Sequence, residues 1–256
     1  MYLLNAAKFR DSNEWKWNDF VAEVRAGITS RHRSVLIHNF SAGESNELLI
    51  NLATSLGRPF TQCGLAGLPL EDEMVFRVER CGEGIPDSRD VILYSTTHLG
   101  FPSHTDGSGK PNPYDVVLLY CVRQDTAGGE SMLITLDELL QYLKPESITT
   151  LRRKVFPVPF GTAPIISGEV SDLRIRYNAE ELSFYARLHR FEFTENQRRA
   201  LADLAAAISV LEVKQPKVRI SPGQCLVIDN KRALHGRTAF SQDSNRLLKR
   251  VRVYLD

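Results

Sequence analysis

Neither sign of charge dominates this chain. Thirty-two Lys and Arg stand against 31 Asp and Glu in 256 residues, a formal charge of +1. That balance argues against a general electrostatic affinity for nucleic acid or an anionic membrane. No apolar run approaches the roughly 20 residues a membrane span needs. Met1 to Arg10 reads as too short and too charged for a signal peptide. Cysteine is sparse, and Cys63, Cys81, Cys121 and Cys225 lack metal-type spacing, so reduced thiols in a cytoplasmic protein are expected. No repeat, low-complexity tract or linker divides the sequence. What is present is 43% apolar residues, enough for the core of one domain covering residues 1–256. The expected partner is a small molecule.

Histidine is also scarce, yet two of the six stand in an informative pattern. His104-Thr105-Asp106 puts an imidazole and a carboxylate two positions apart, so on an extended strand both emerge on the same side. His235 follows the apolar run Cys225-Leu226-Val227-Ile228-Asp229, from whose end a barrel could return it to the same point. Two imidazoles and a carboxylate can occupy one face of an octahedral metal and leave the opposite face open, the triad of non-haem Fe(II) sites. His-x-Asp is weak alone. Six histidines and 31 acids in 256 positions give roughly 0.7 chance matches to His-x-Asp/Glu.

Context comes from the C-terminal strand, Arg246 to Leu255. With period two, Leu247, Lys249, Val251, Val253 and Leu255 share one face, and Arg246, Arg250 and Arg252 the other. Arginines turned into a barrel are costly unless anions await them. The alternative for an isolated strand is an exposed face with solvated arginines. Behind a candidate metal histidine, a functional face is the better reading.

The remaining pattern is many short strands with a few helices. Helices are expected over Trp15 to Ala26, Glu44 to Leu56, Leu136 to Leu143 and Thr194 to Val210, the last with Thr194 as N-cap. Strands are expected over Ser34 to Asn39, Val75 to Val78, Val91 to Tyr94, Val116 to Val122 and Ser131 to Thr135. The expectation is a mainly β protein with flanking helices, a double-stranded β-helix (jelly-roll, cupin-like) barrel. Residues 1–33 would be a helical lead-in, and 155–190 an insert carrying a possible lid.

From about position 35 the sequence resembles the taurine dioxygenase and clavaminate synthase-like group of Fe(II)/2-oxoglutarate oxygenases. The matching pieces, in order, are Ser103-His104-Thr105-Asp106-Gly107, Pro113 to Leu119, Ala127-Gly128-Gly129-Glu130-Ser131, Asp229 to Arg237, and Arg246 to Arg250. The resemblance is weakest between 155 and 190. It implies His104, Asp106 and His235 as iron ligands, and Arg246, eleven positions after His235, as partner of the distal carboxylate of 2-oxoglutarate. Ser131 stands where the family usually has threonine and keeps the hydroxyl. Arg250 matches a second arginine that reaches the substrate in several members. A planar guanidinium fork can meet a carboxylate bidentately. The implied activity consumes Fe(II), 2-oxoglutarate and O2 and hydroxylates an unactivated C–H bond, most naturally of a free amino acid or derivative. Desaturation, cyclisation or sulfonate oxidation could use the same site. Related halogenases have a small residue where this chain has Asp106, so a carboxylate there favours hydroxylation.

The other histidines have plainer readings: His32 at the surface, His38 in a core strand, His98 as a residue that could line the entrance. His189 is the rival to His235 for third ligand, but lacks its strand context. Gly161 to Arg174, with Glu169 and Asp172, reads equally as a lid meeting an amine or as a surface connection. Arg250 or Arg252 could meet an amino acid carboxylate, with Arg250 the leading candidate and Arg252 expected to end in a surface pair. Two runners-up, a non-catalytic cupin-like binding protein and a Zn(II) hydrolase on the same ligands, leave the arginine face unexplained.

Overall fold

Alternation along the strands decides which side chains meet in this fold. The computed structural model describes residues 1–10, 15–41, 43, 45–62, 69–87 and 92–255. In chain order the first elements are β1 (Tyr2–Asn5), α1 (Trp17–Thr29), β2 (Ser34–His38), α2 (Glu47–Leu56), β3 (Arg58–Pro59), β4 (Leu70–Asp72) and β5 (Val75–Glu79). Then come β6 (Phe101–His104), β7 (Val116–Arg123), β8 (Ser131–Thr135), α3 (Leu136–Leu140) and α4 (Pro145–Leu151). The short strands β9 (Phe156–Val158), β10 (Gly161–Ala163), β11 (Ile166–Ser167) and β12 (Arg174–Ile175) precede α5 (Ala179–Leu188) and α6 (Glu195–Lys214). The chain ends through β13 (Cys225–Asp229), β14 (Ala233–Arg237) and β15 (Leu247–Tyr254).

Eight strands form one sheet in the order β1-β2-β13-β7-β15-β5-β4, with β3 on β15, and a second sheet is β6-β14-β8. The architecture is therefore mainly β with flanking helices, as the patterning predicts. Its strands make separate sheets and no closed barrel among the described residues. Odd and even positions separate the cores. Cys225 and Val227 of β13, with Val251 and Val253 of β15, pack outward under α1 and α2. Leu226, Ile228 and Leu248 turn inward, where they meet Ala233 of β14 and Leu133 of β8. Ile134 and Leu234 face the far side of the small sheet and pack on α3, α4 and α6. The even face of β15, which carries Arg246, Arg250 and Arg252, thus points between the two sheets. Its odd face carries Lys249, whose ammonium sits 2.8 Å from Glu71 and 2.9 Å from the Asn46 side chain.

Most predicted elements form, with shifted ends. α6 runs past Val210 to Lys214, and Thr194 caps it in a reciprocal box with Gln197. The lead-in is not wholly helical, because β1 pairs in parallel with β2. The strand predicted over Val91 to Tyr94 is absent among the described residues. Ile92 makes an isolated bridge to Pro86, and Tyr94–Thr96 is a 3-10 turn. Val91, Glu44 and Cys63 lie outside the described residues. The other three cysteines are free thiols. No described helix is long and apolar enough to cross a membrane.

Candidate metal centre

His104 ends β6, and His235 is its cross-strand partner at the middle of β14. The sequence reading put His235 at the end of the strand Cys225 to Asp229. The chain instead turns after β13 and enters the small sheet, because Asp229 to Arg232 closes a tight turn through Arg232 N–H to the Asp229 carbonyl. Asp106 lies two residues beyond His104, past the end of β6. Ligand atoms of His104, Asp106 and His235 lie within 4.8 Å of one another, and all three residues are buried.

The two Nε2 atoms converge on one carboxylate oxygen. Asp106 Oδ1 is 3.3 Å from His104 Nε2 and 3.7 Å from His235 Nε2. His104 Nδ1 sits 2.9 Å from the Pro102 carbonyl; that oxygen can only accept, so with a metal at Nε2 the ring proton would lie on Nδ1. Burial, with the nearby His104, pushes the His235 imidazolium pKa down to about 4, so this ring is neutral, as a ligand must be. Phe101 stacks on His104 with ring centroids 3.8 Å apart and packs on Tyr94.

Asp106 is held from both ends. Its N–H donates to Asn230 Oδ1 at 2.8 Å, and Asn230 Nδ2 donates to the carbonyls of Asp106 and Tyr114 at 3.0 and 2.8 Å. The next residue, Gly107, has φ of 72°, and a Cβ there would meet the Tyr114 ring at 2.7 Å. Only glycine fits this turn without displacement. On the carboxylate, Oδ2 accepts from Arg252 Nε at 2.6 Å and lies 3.3 Å from Arg250 Nη1. Burial alone would raise this carboxyl, but the two guanidiniums and the imidazole contacts hold it well below its ordinary range. Oδ2 is engaged by arginine and Oδ1 faces the histidines, so the geometry suits single-oxygen coordination. The predicted surface pairing of Arg252 is therefore wrong: as the inward position of β15 beside Asp106, it makes the shortest contact to the triad carboxylate.

Two cavities flank the triad. One, of about 430 Å³, is lined by Ser131, His235, Arg237, Arg246, Leu248 and Arg250, among others. Arg246 is 2% exposed. Its Nε donates to Gln124 at 2.9 Å and Nη2 to the Gly129 carbonyl at 3.3 Å. Nη1 has no partner among the described residues. Gly129 has φ of 70°, and a Cβ there would stand 2.8 Å from Arg246 Nε, so glycine lets the guanidinium lie against the backbone. Burial lowers the Arg246 pKa to about 10, still charged at neutral pH. A buried cation with an unused donor beside a hydroxyl suits a carboxylate. The second cavity, of about 650 Å³, opens over His104 and Asp106 and includes Arg250, Arg252, Glu180, Glu181 and Phe184.

All six predicted site residues gather here. His189 does not: it closes α5, with Nε2 3.2 Å from the Val158 carbonyl. His98 lines neither cavity, and its carbonyl accepts from Phe240 N–H. Asp172 of the supposed lid is bound by Arg232 and Arg174, and neither it nor Glu169 faces the triad cavities. Besides the ligand Asp106, the acids that line the site are Asp87, Glu180 and Glu181, which sequence reasoning passed over. Glu180 and Glu181 follow the N-cap Asn178 in the first turn of α5, where acids are ordinarily read as helix-dipole partners. Asn230 was also missed as a positioning residue, although it directly follows β13 within a motif that was recognised.

The sequence matches the taurine catabolism dioxygenase TauD, TfdA family over residues 6–252. Human γ-butyrobetaine dioxygenase is 24% identical over 165 residues, 58% of this chain and 42% of that protein, so the chain spans less than half of that relative. An asparagine oxygenase in complex with Fe(II), 2S,3S-3-hydroxyasparagine and succinate has a TM-score of 0.69 at 18% identity, covering 99% of this chain and 94% of that one. The non-heme iron oxygenase OrfP with Fe and alpha-ketoglutaric acid gives 0.68 at 22% identity, covering 98% and 82%. The structural likeness agrees with the family match, and the chain belongs to the TauD, TfdA family of dioxygenases.

Proposed function

We propose that the protein is an Fe(II)- and 2-oxoglutarate-dependent hydroxylase of a small carboxylate-bearing substrate, a free amino acid or a close derivative. The observation that carries this is Arg246, a buried guanidinium whose Nη1 has no partner among the described residues, in a cavity beside the triad. His104, Asp106 and His235 would hold the iron. Arg246 and Ser131 would hold the far carboxylate of 2-oxoglutarate, and Arg250 the carboxylate of the substrate. When bound, Fe(II) and 2-oxoglutarate supply the oxidising power: one atom of O2 goes into succinate, the other into substrate, and carbon dioxide leaves. The chain's own work is placement. Asn230 and Gly107 fix the Asp106 backbone, the Pro102 carbonyl fixes the His104 tautomer, and Arg252 keeps one oxygen of Asp106 away from the open face. The two sheets, packed through Leu226, Ile228, Ala233 and Leu248, correspond in this reading to the halves of a double-stranded β-helix.

A Zn(II) hydrolase or a non-catalytic binding protein on the same triad would give Arg246 no anion. Anaerobic addition of Fe(II) and 2-oxoglutarate should produce a visible charge-transfer band. Amino acid-dependent release of succinate should follow in air, with one atom from labelled O2 found in the product. Absence of the band rejects the cosubstrate assignment. Loss of two hydrogens in place of oxygen gain rejects hydroxylation and favours desaturation or ring closure.

A further inference from the structure

Arg246 is held by acceptors that carry no charge. One edge of its guanidinium, Nε and Nη2, is spent on Gln124 Oε1 at 2.9 Å and the Gly129 carbonyl at 3.3 Å. That leaves Nη1 and the opposite edge for a ligand. Carboxylates are at hand, but they are turned elsewhere. Asp125, the residue after Gln124, accepts from the N–H groups of Ala127 and Ser241 at 2.9 and 3.2 Å. Glu130 accepts from Thr238 Oγ1 at 2.6 Å and lies 3.4 Å from Arg219 Nη1. Among the described residues no carboxylate comes within ion-pair distance of Arg246. A carboxylate in place of the Gln124 amide would cancel the guanidinium charge, and an incoming anion would have to compete with it.

The other partners of Gln124 decide which way its amide faces. Oε1 also accepts from the Asp125 N–H at 3.0 Å, and Nε2 donates to the Ile220 carbonyl at 3.0 Å. The reversed amide would set donor against donor at Asp125 and Arg246, and acceptor against acceptor at Ile220. Ile220 is buried, and its segment carries a second anchor. Val218 and Ser131 exchange both of their backbone hydrogen bonds, each 2.8 Å. One segment, Val218 to Ile220, therefore holds the backbone of Ser131 directly and the guanidinium of Arg246 through Gln124. Gly129 leaves room for this: a Cβ there would stand 2.8 Å from Arg246 Nε and 3.1 Å from Gln124 Oε1.

We propose that Gln124 is a positioning residue of the cosubstrate site, a neutral acceptor that fixes the plane of Arg246 and leaves its charge for the far carboxylate of 2-oxoglutarate. The inference rests on the cosubstrate reading above and adds to it the residue that sets how strongly the site prefers a dianion to a monoanion.

The test is calorimetric titration of the full chain, loaded with Mn(II), with 2-oxoglutarate and with 2-oxopentanoate, which has the same carbon chain and lacks the far carboxylate. The ratio of the two dissociation constants isolates the far-carboxylate contact, because loss of fold or of metal weakens both ligands alike. In Gln124→Glu the charge of Arg246 is met internally, and the preference for 2-oxoglutarate should fall about tenfold or more. In Gln124→Met, which keeps length and removes the acceptor, it should fall about threefold or more through lost orientation. Thermal melts without ligand report folding, and if Gln124→Glu does not fold, Gln124→Met decides. A preference within about twofold of the parent's in either folded variant overturns the inference and leaves the cosubstrate reading standing. If neither variant folds, Gln124 serves the fold and the inference is likewise overturned. A parent protein that does not distinguish the two ligands removes the cosubstrate reading, and this inference with it.

Discussion

Replacing Arg246 by methionine separates its proposed hold on the cosubstrate from what it does for the fold. Methionine keeps much of the apolar stem and removes the guanidinium. A desolvated charge-assisted pair is worth about 2–5 kcal/mol on truncation, so the 2-oxoglutarate dissociation constant should rise roughly 30-fold to 4,000-fold at about 1.4 kcal/mol per decade. Without cosubstrate the balance is different. Arg246 then has an unpartnered Nη1, lies 5.2 Å from the face of Phe240, and has its pKa lowered to about 10 by burial. The sign follows directly: a base whose pKa falls on folding is destabilising while charged, so its removal relieves a cost at neutral pH. Arg246→Met should therefore melt at the same temperature as the parent or higher without 2-oxoglutarate, and lose the stabilisation the cosubstrate confers. Thermal melts with Mn(II), with and without 2-oxoglutarate, read both quantities, and calorimetric titration gives the affinity. A cosubstrate affinity within twofold of the parent would refute the assignment of Arg246. A large fall in the melting temperature without cosubstrate would show that the guanidinium serves the fold.

His235→Ala should abolish Fe(II)-dependent decarboxylation of 2-oxoglutarate with the melting curve retained, while His189→Ala keeps turnover; the reverse pattern would replace the third ligand. Arg252→Met leaves Asp106 with Arg250 alone on Oδ2, and breaking a buried pair costs about 3–5 kcal/mol, here at the low end because one guanidinium stays. An unchanged urea midpoint would contradict the geometry at Asp106. Asp229 tests the pH dependence: burial, opposed by Arg33 and Arg232, raises its pKa from 3.8 to about 6. A carboxyl whose pKa rises on folding contributes stability that is lost as pH increases through the folded value. Asp229→Asn should gain about 1–2 kcal/mol near pH 8, after discount for partial exposure, and little near pH 4; an equal gain at both would mean the charge is not the cause.

The site was more legible in the sequence than the frame around it. His104, Asp106 and His235 announce themselves by chemistry, since few structural roles need two imidazoles and a carboxylate in strand context. The inward face of β15 followed from parity alone, because Val251 and Val253 pack outward and leave Arg246 and Arg250 inside. What parity cannot give is the path between strands. The sequence run toward His235 looked continuous, yet β13 belongs to the large sheet and β14 to the small one. That turn depends on contacts such as Asn230 to Asp106, which are 124 positions apart in sequence. Glu180 and Glu181 were illegible for a related reason. Their local signal is a well-capped helix start, and their relation to the triad exists only after residues 156–177 pack against α6 and bring α5 over the cavity.

Arg252 shows most sharply how local and tertiary information divide. By sequence it shares the face of Arg246 and Arg250 but stands nearest the strand end, where charge ordinarily meets solvent. In the fold its strand is flanked by β7 and β5, and the side chain passes under Tyr114, 5.1 Å from the ring centroid, to reach Asp106 Oδ2. The same carboxylate is approached by Arg250, so the two arginines compete for one oxygen. With Arg252 holding that oxygen at the shorter distance, Arg250 can turn to a substrate anion without leaving Asp106 an unpaired buried charge. One arginine thus frees the other, and the substrate capture proposed for Arg250 would leave undisturbed the carboxylate that faces the histidines.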